Sequence, residues 1–146
     1  MPGLFGTRAV LQTDIDLLLQ IAAFAILLLS LYGRKRKAKR HTGIMIVATL
    51  LEFGTFLVIM GPVFLKNAKY FFGTLNAVAA SFLFHAFFGA ITLTLSFGLI
   101  ILWAIRGGNI GSCYKRKRLM DATVSTWTAS LVFGVIGYTL AYVLPL

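Results

Sequence analysis

Cysteine and acidic side chains are almost missing from this chain. Its 146 residues hold one cysteine, Cys113, and four acids, Asp14, Asp16, Glu52 and Asp121. One cysteine cannot close an internal disulfide, and no Cys/His spacing suits zinc. Cys113 therefore reads as an inert reduced thiol. No nucleophile–base pair and no paired carboxylates stand out, so an enzyme activity of its own is not expected. Histidine is scarce too, with only His41 and His85.

Charge is also missing over long distances. The chain is 59% hydrophobic with a formal net charge of +10. Eleven of the 14 Lys and Arg residues fall in two short linkers. Arg34, Lys35, Arg36, Lys37, Lys39 and Arg40 form the first; Arg106, Lys115, Arg116, Lys117 and Arg118 form the second. A soluble basic domain of this charge would suggest nucleic acid. Here the charges bracket apolar runs of roughly 20 residues, which soluble nucleic-acid-binding domains do not carry. The pattern excludes nucleic acid as partner and points to the lipid bilayer.

The expected fold is all-α, a single integral membrane domain over residues 1–146 built as a four-helix bundle. The expected spans are about 15–32, 43–64, 78–105 and 122–144. Each reaches or approaches the length needed to cross ~30 Å of hydrocarbon at ~1.5 Å per residue. Thr13 and Asp16 read as a capping box at the first helix. Pro62 suggests a kink or stop near the end of the second. The apolar run from Tyr70 to Ile105 is 36 residues, too long for one crossing. Tyr70 to Thr74 is therefore expected to be an interfacial aromatic segment ahead of the third span, with Trp103 an interface anchor at its other end. Gly107, Gly108, Gly111 and Ser112 suggest a flexible loop.

The linker charges give an orientation. Basic residues concentrate in cytoplasmic loops, so both termini are expected outside and the two basic loops inside the cell membrane, against anionic lipid. A cleavable signal peptide carries its positive charge before the apolar core. Here six basic residues follow the first core, so that core is expected to be a permanent span. A soluble bundle would need polar helix faces, and these helices are apolar nearly all round.

Polar residues within the spans fall into stripes at ~100° per residue. His41, Met45, Glu52 and Thr55, with Thr49 at the border, share one face of the second helix. Ser81, His85, Gly89, Thr92 and Ser96 share one face of the third. Thr123, Trp127, Ser130, Gly134, Gly137 and Ala141 do so on the fourth, where Ser130-x-x-x-Gly134 suits close helix packing. Glu52 stands apart. It lies near the bilayer centre, where an ionised carboxylate is costly unless paired, and no Lys or Arg shares its depth. The neutral acid is the expected form. It reads either as a proton or cation site, or as a neutral acid hydrogen-bonded to a nearby hydroxyl.

The two histidines are the classical metal or haem ligands of the chain, and they separate by depth. His41 opens the second helix at the inner face. His85 lies 20 residues before Ile105, ~30 Å away along a straight helix. They are not expected to share one haem. Met60 falls about level with His85; Met120 and Met45 fall level with His41. Two cofactor-binding pairs follow, His85 with Met60 and His41 with Met120 or Met45, suited to haem iron or copper. Methionine is equally a gap-filler and a lone histidine equally a structural hydrogen-bonder.

Three stretches carry a family resemblance. His41-Thr-Gly-Ile-Met45 opens the second helix after a basic run. Leu83-Phe-His85-Ala-Phe-Phe-Gly-Ala90 lies in the third. Trp127-x-x-Ser130 and then Gly134-Val135-x-x-Tyr138 lie in the fourth. From about Asp14 to Tyr142 the chain resembles the small four-span membrane proteins named domain of unknown function 420. The resemblance implies the same topology and a kinship with haem or copper respiratory membrane proteins. Members of that family typically carry further histidines near the outer end of the second helix and just before the fourth. This chain has none there, and Lys115 to Arg118 occupies the second place. Either Met60 and Met120 substitute, or the site is lost.

Three functions follow as expectations. The first is a binding or assembly/accessory subunit of a respiratory-type membrane complex, holding haem b or copper. The second is a small proton-coupled transporter using Glu52. The third is a structural subunit that packs on a membrane protein partner or on copies of itself.

Overall fold

The computed structural model describes residues 4–6, 8–32, 38–74, 76–105 and 117–144. All regular structure among them is helical. Helix α1 spans Leu11–Tyr32, α2 Ala38–Thr55, α3 Gly61–Gly73, α4 Ala77–Ile105 and α5 Lys117–Tyr138. A π turn at Phe56–Met60 joins α2 to α3 without a break, and another at Thr139–Val143 closes α5. The result is four helical units, each long and apolar enough to cross a membrane. Cys113, the glycine-rich loop at 107–112 and most of both basic linkers lie outside the described residues.

Three boundaries differ from the sequence expectation. The second unit runs through Pro62 to Gly73 instead of stopping near Phe64. A proline inside a helix lacks one N–H and its ring collides with the carbonyl four residues back. Here Pro62 sits in the first turn of α3, directly after the π turn, where Gly61 N–H bonds Phe56 O. The wider turn carries the preceding carbonyls away from the ring, so the helix continues. Tyr70–Gly73 therefore close the second unit rather than leading the third, and Lys66 and Lys69 lie on a helix rather than in a linker. Asn76 starts α4: its Oδ1 accepts the Ala79 N–H at 2.7 Å, an N-cap. Lastly, α1 begins at Leu11, so Thr13 and Asp16 lie within its first turns and form no capping box. The Thr13 N–H is already satisfied by Val10 O at 2.8 Å.

The units pack as two antiparallel hairpins, α1 with α2 and α4 with α5. Between the hairpins contact is thinner. Ala23, Leu27, Met45, Ala48 and Trp127 form a buried core toward the end that carries the basic linkers. Phe53 meets Phe97 edge-on at 5.0 Å, and Phe71 meets Phe82 at 5.7 Å, tying the second unit to α4. At the opposite end Tyr138 OH donates to Asp14 Oδ1, tying α5 to α1.

The distribution of side chains is inverted relative to a soluble bundle. Ser30, Thr49, Glu52, Ser96, Thr123 and Ser130 are buried, while Leu29, Leu57, Val58 and Ile101 are exposed. Small and polar groups inside with large apolar ones outside fit a lipid-facing exterior. Four helices apolar enough to cross a membrane fit a multi-pass, helical-bundle membrane protein.

Candidate functional site: an acidic cavity between the hairpins

The thin contact between hairpins leaves a cavity of about 800 Å³. That is a volume typical of small-molecule sites. Its walls are chiefly apolar and aromatic, with Phe56, Phe64, Phe71, Phe82 and Tyr142 among them. Into this lining project Asp16 from α1, Glu52 from α2, Met60 from the π turn, and His85 and Ser130 from the second hairpin. Among the described residues no Lys or Arg lines it.

The two acids are incompletely satisfied. Asp16 Oδ2 accepts the Gln20 side-chain amide at 3.1 Å, but Asp16 Oδ1 has no partner among the described residues. Glu52 is 5% exposed and its Oε2 has no partner among the described residues. Buried polar oxygens nearly always find a hydrogen bond or a water, so these two are the cavity atoms with most to gain from water or a ligand. Asp16 went unread in the sequence as a site residue. The available signal was the run Thr13, Asp16, Gln20 at helical spacing on an otherwise apolar span.

The histidines occupy two copies of one local arrangement. His85 Nδ1 donates to Ser130 O at 2.8 Å, while Ser130 Oγ donates back to His85 O at 3.0 Å. His41 Nδ1 meets Ser30 O at 3.1 Å, while Ser30 Oγ donates to His41 O at 3.2 Å. Each hairpin thus carries a reciprocal His–Ser clasp, one near the basic-linker end and one about midway along the fourth unit. They also differ in surroundings: His41 is buried and does not line the cavity, whereas His85 does. Donation from Nδ1 makes Nε2 of a neutral His85 the acceptor, and it makes no hydrogen bond among the described residues.

Glycine makes the His85 clasp sterically feasible. A Cβ at Gly134 would stand 2.8 Å from His85 Nδ1, and one at Gly89 would stand 3.3 Å from Ser130 Oγ. The Ser130/Gly134 spacing on α5 therefore holds a histidine as well as packing two helices.

The methionines divide. Met60 lines the cavity, and its sulfur accepts the Gln20 amide at 3.4 Å. Met45 is part of the apolar core, and Met120 is buried. Neither lines the cavity. The structure thus brings together Glu52, Met60 and His85 of the expected site residues, adds Asp16, and leaves His41 and Met120 elsewhere. Among the described residues no three His, Cys, Asp or Glu side chains group to hold one metal ion. No protein-family model, curated protein or solved structure matches the chain.

Proposed function

We propose that this protein is a small proton-coupled carrier of the cell membrane, with both termini outside and the basic loops in the cytoplasm. Its cavity takes a cation with an apolar body. The observation that supports this reading is the pair of acid oxygens, Asp16 Oδ1 and Glu52 Oε2, that have no partner among the described residues, in an apolar cavity that no described basic residue lines. A buried carboxylate with no counter-charge is costly, so the ligand-free carboxyls hold a proton. A cationic ligand supplies the missing charge and displaces that proton. Aromatic walls favour a cation through their ring faces.

Tetraphenylphosphonium and tetraphenylborate provide the test, since they share a shape and differ in charge. The detergent-solubilised chain should bind the cation and release protons into weakly buffered solution. Glu52→Gln should abolish the release. Equal binding of the anion, or no binding of the cation, removes this reading. The orientation has its own test: a membrane-impermeant thiol reagent should label Cys113 only after the cells are opened.

A second reading is a binding or assembly subunit of a respiratory-type membrane complex, which the resemblance to the domain of unknown function 420 family suggests. One observation favours it. His85 is held by Nδ1 with Nε2 left as a donor atom, the arrangement usual for a metal-ligating histidine. His85 and Met60 would be the residues to hold copper, or the iron of a haem. The fit to haem is poor, because no basic group among the described residues lines the cavity to offset its carboxylates. An absorption band of haem, or copper at one per chain in the purified protein, would decide for this reading.

A further inference from the structure

Between Asp16 and Ser30 the first helix holds one polar side chain, that of Gln20. It is 5% exposed, and a buried amide is costly unless it is hydrogen-bonded. Gln20 stands four residues after Asp16, so the two share one face of α1. Its Nε2 donates to Asp16 Oδ2 at 3.1 Å. The same nitrogen donates to the sulfur of Met60, the last residue of the first π turn, at 3.4 Å. An amide nitrogen carries two hydrogens, so both are spent.

These two acceptors decide which way the amide points. A thioether accepts a hydrogen bond and has no hydrogen to donate. Turning the amide over would set Gln20 Oε1 against the Met60 sulfur, acceptor against acceptor, and lose that bond outright. It would also set Oε1 against Asp16 Oδ2, which repels it in the carboxylate and bonds it only if Oδ2 carries the proton. Nε2 turned toward both partners keeps two bonds in either protonation state. Gln20 therefore donates to Oδ2 whether or not Asp16 is ionised, and Oδ2 is the carbonyl oxygen of the neutral acid. The other oxygen, Oδ1, is buried and has no partner among the described residues.

We propose that Gln20, anchored by Met60, is a positioning residue that keeps the proton of the Asp16 carboxyl on Oδ1. This rests on the carrier reading in one respect, that Asp16 holds a proton in the ligand-free cavity. It gives that reading an atom. Asp16 gains and loses its proton at Oδ1, and a cation that meets the Asp16 carboxylate meets it there, because the amide covers Oδ2. Met60 acts on the acid through Gln20.

The experiment is the infrared spectrum of the full chain in detergent as pH is lowered, without any cavity ligand. It is read in the carbonyl stretch of protonated carboxylic acids. Asp16→Asn identifies the Asp16 band by its loss. A carbonyl that accepts a hydrogen bond absorbs at lower wavenumber than one that accepts none. Gln20→Leu should therefore move the Asp16 band to higher wavenumber. Met60→Leu conserves volume and lets the amide turn, so it should add a second component to the band while Gln20 and Asp16 are intact. Residues that only pack would leave the band in place. A band unmoved in Gln20→Leu overturns the positioning role, and a single unmoved band in Met60→Leu overturns the anchor. No Asp16 band at any pH overturns both. If Gln20→Leu does not fold, Gln20→Met keeps the side-chain length, removes the donor and carries the same comparison. An unmoved band with proton release by tetraphenylphosphonium intact refutes this role alone. The expected shifts without tetraphenylphosphonium binding refute the carrier reading alone.

Discussion

Gly134→Ala isolates the geometry on which the cavity's histidine depends. In a helix interior, alanine in place of glycine is worth about 0.8–1.0 kcal/mol of stability. At this position the new Cβ stands 2.8 Å from His85 Nδ1 and 3.2 Å from His85 Cε1. The imidazole cannot yield by bending a flexible end, because its ring is tied to Ser130 O at 2.8 Å. It must rotate away, which breaks the bond from His85 Nδ1 to Ser130 O. Side-chain hydrogen bonds between membrane helices are worth about 0.6 kcal/mol each on average, and overpacking costs about 1–3 kcal/mol. Set against the helix-propensity gain, the net is a destabilisation of about 1–3 kcal/mol. Gly98→Ala is the control, since nothing lies within 4 Å of its new Cβ. It should be neutral or stabilising by up to about 1 kcal/mol. Unfolding in mixed micelles against rising denaturing detergent measures both. In an His85→Ala background the clash is gone, and Gly134→Ala should cost nothing. A Gly134→Ala protein as stable as its parent, or the same cost with and without the His85 ring, refutes the clasp as described.

Three further outcomes follow from the same contacts. Tyr138→Phe removes the hydroxyl that satisfies the fully buried Asp14 and should cost about 1–3 kcal/mol in the same assay. Ser30 Oγ also meets His41 Nδ1 side chain to side chain, so the losses in Ser30→Ala and His41→Ala should be non-additive in a double-mutant cycle by at least about 0.5 kcal/mol. Asn76→Ala removes the cap of α4 and should cost about 0.5–2 kcal/mol, with hydrogen exchange rising first at Ala79.

Much of the architecture was legible because a bilayer demands it. Long apolar runs between basic linkers require helices, and the structure has four units of the needed length and composition. Boundaries were less legible. The run from Tyr70 to Ile105 shows no drop in hydropathy, so the helix end at Gly73 had to be read from Asn76, a capping residue before an apolar run. Pro62 misled because its effect depends on the turn before it, and a π turn leaves no clear mark in composition. The stripes through Glu52, His85 and Ser130 were readable from helical spacing, and most of their polar members are buried. Asp16 was hidden by its nearness to the first span's end, where an acid ordinarily reads as a cap. The His–Ser clasps could not be foreseen, because each joins two helices whose relative rotation only packing determines.

The central claim is that a carboxyl in the cavity exchanges its proton for a cationic ligand. The most direct measurement is the infrared difference spectrum of the full chain on addition of tetraphenylphosphonium, read in the carbonyl stretch of protonated carboxylic acids. The account predicts loss of a protonated-carboxyl band with gain of carboxylate bands in the parent, and loss of that change in Glu52→Gln. Tetraphenylphosphonium that binds with no change in this region, or with the same change in Glu52→Gln, contradicts it.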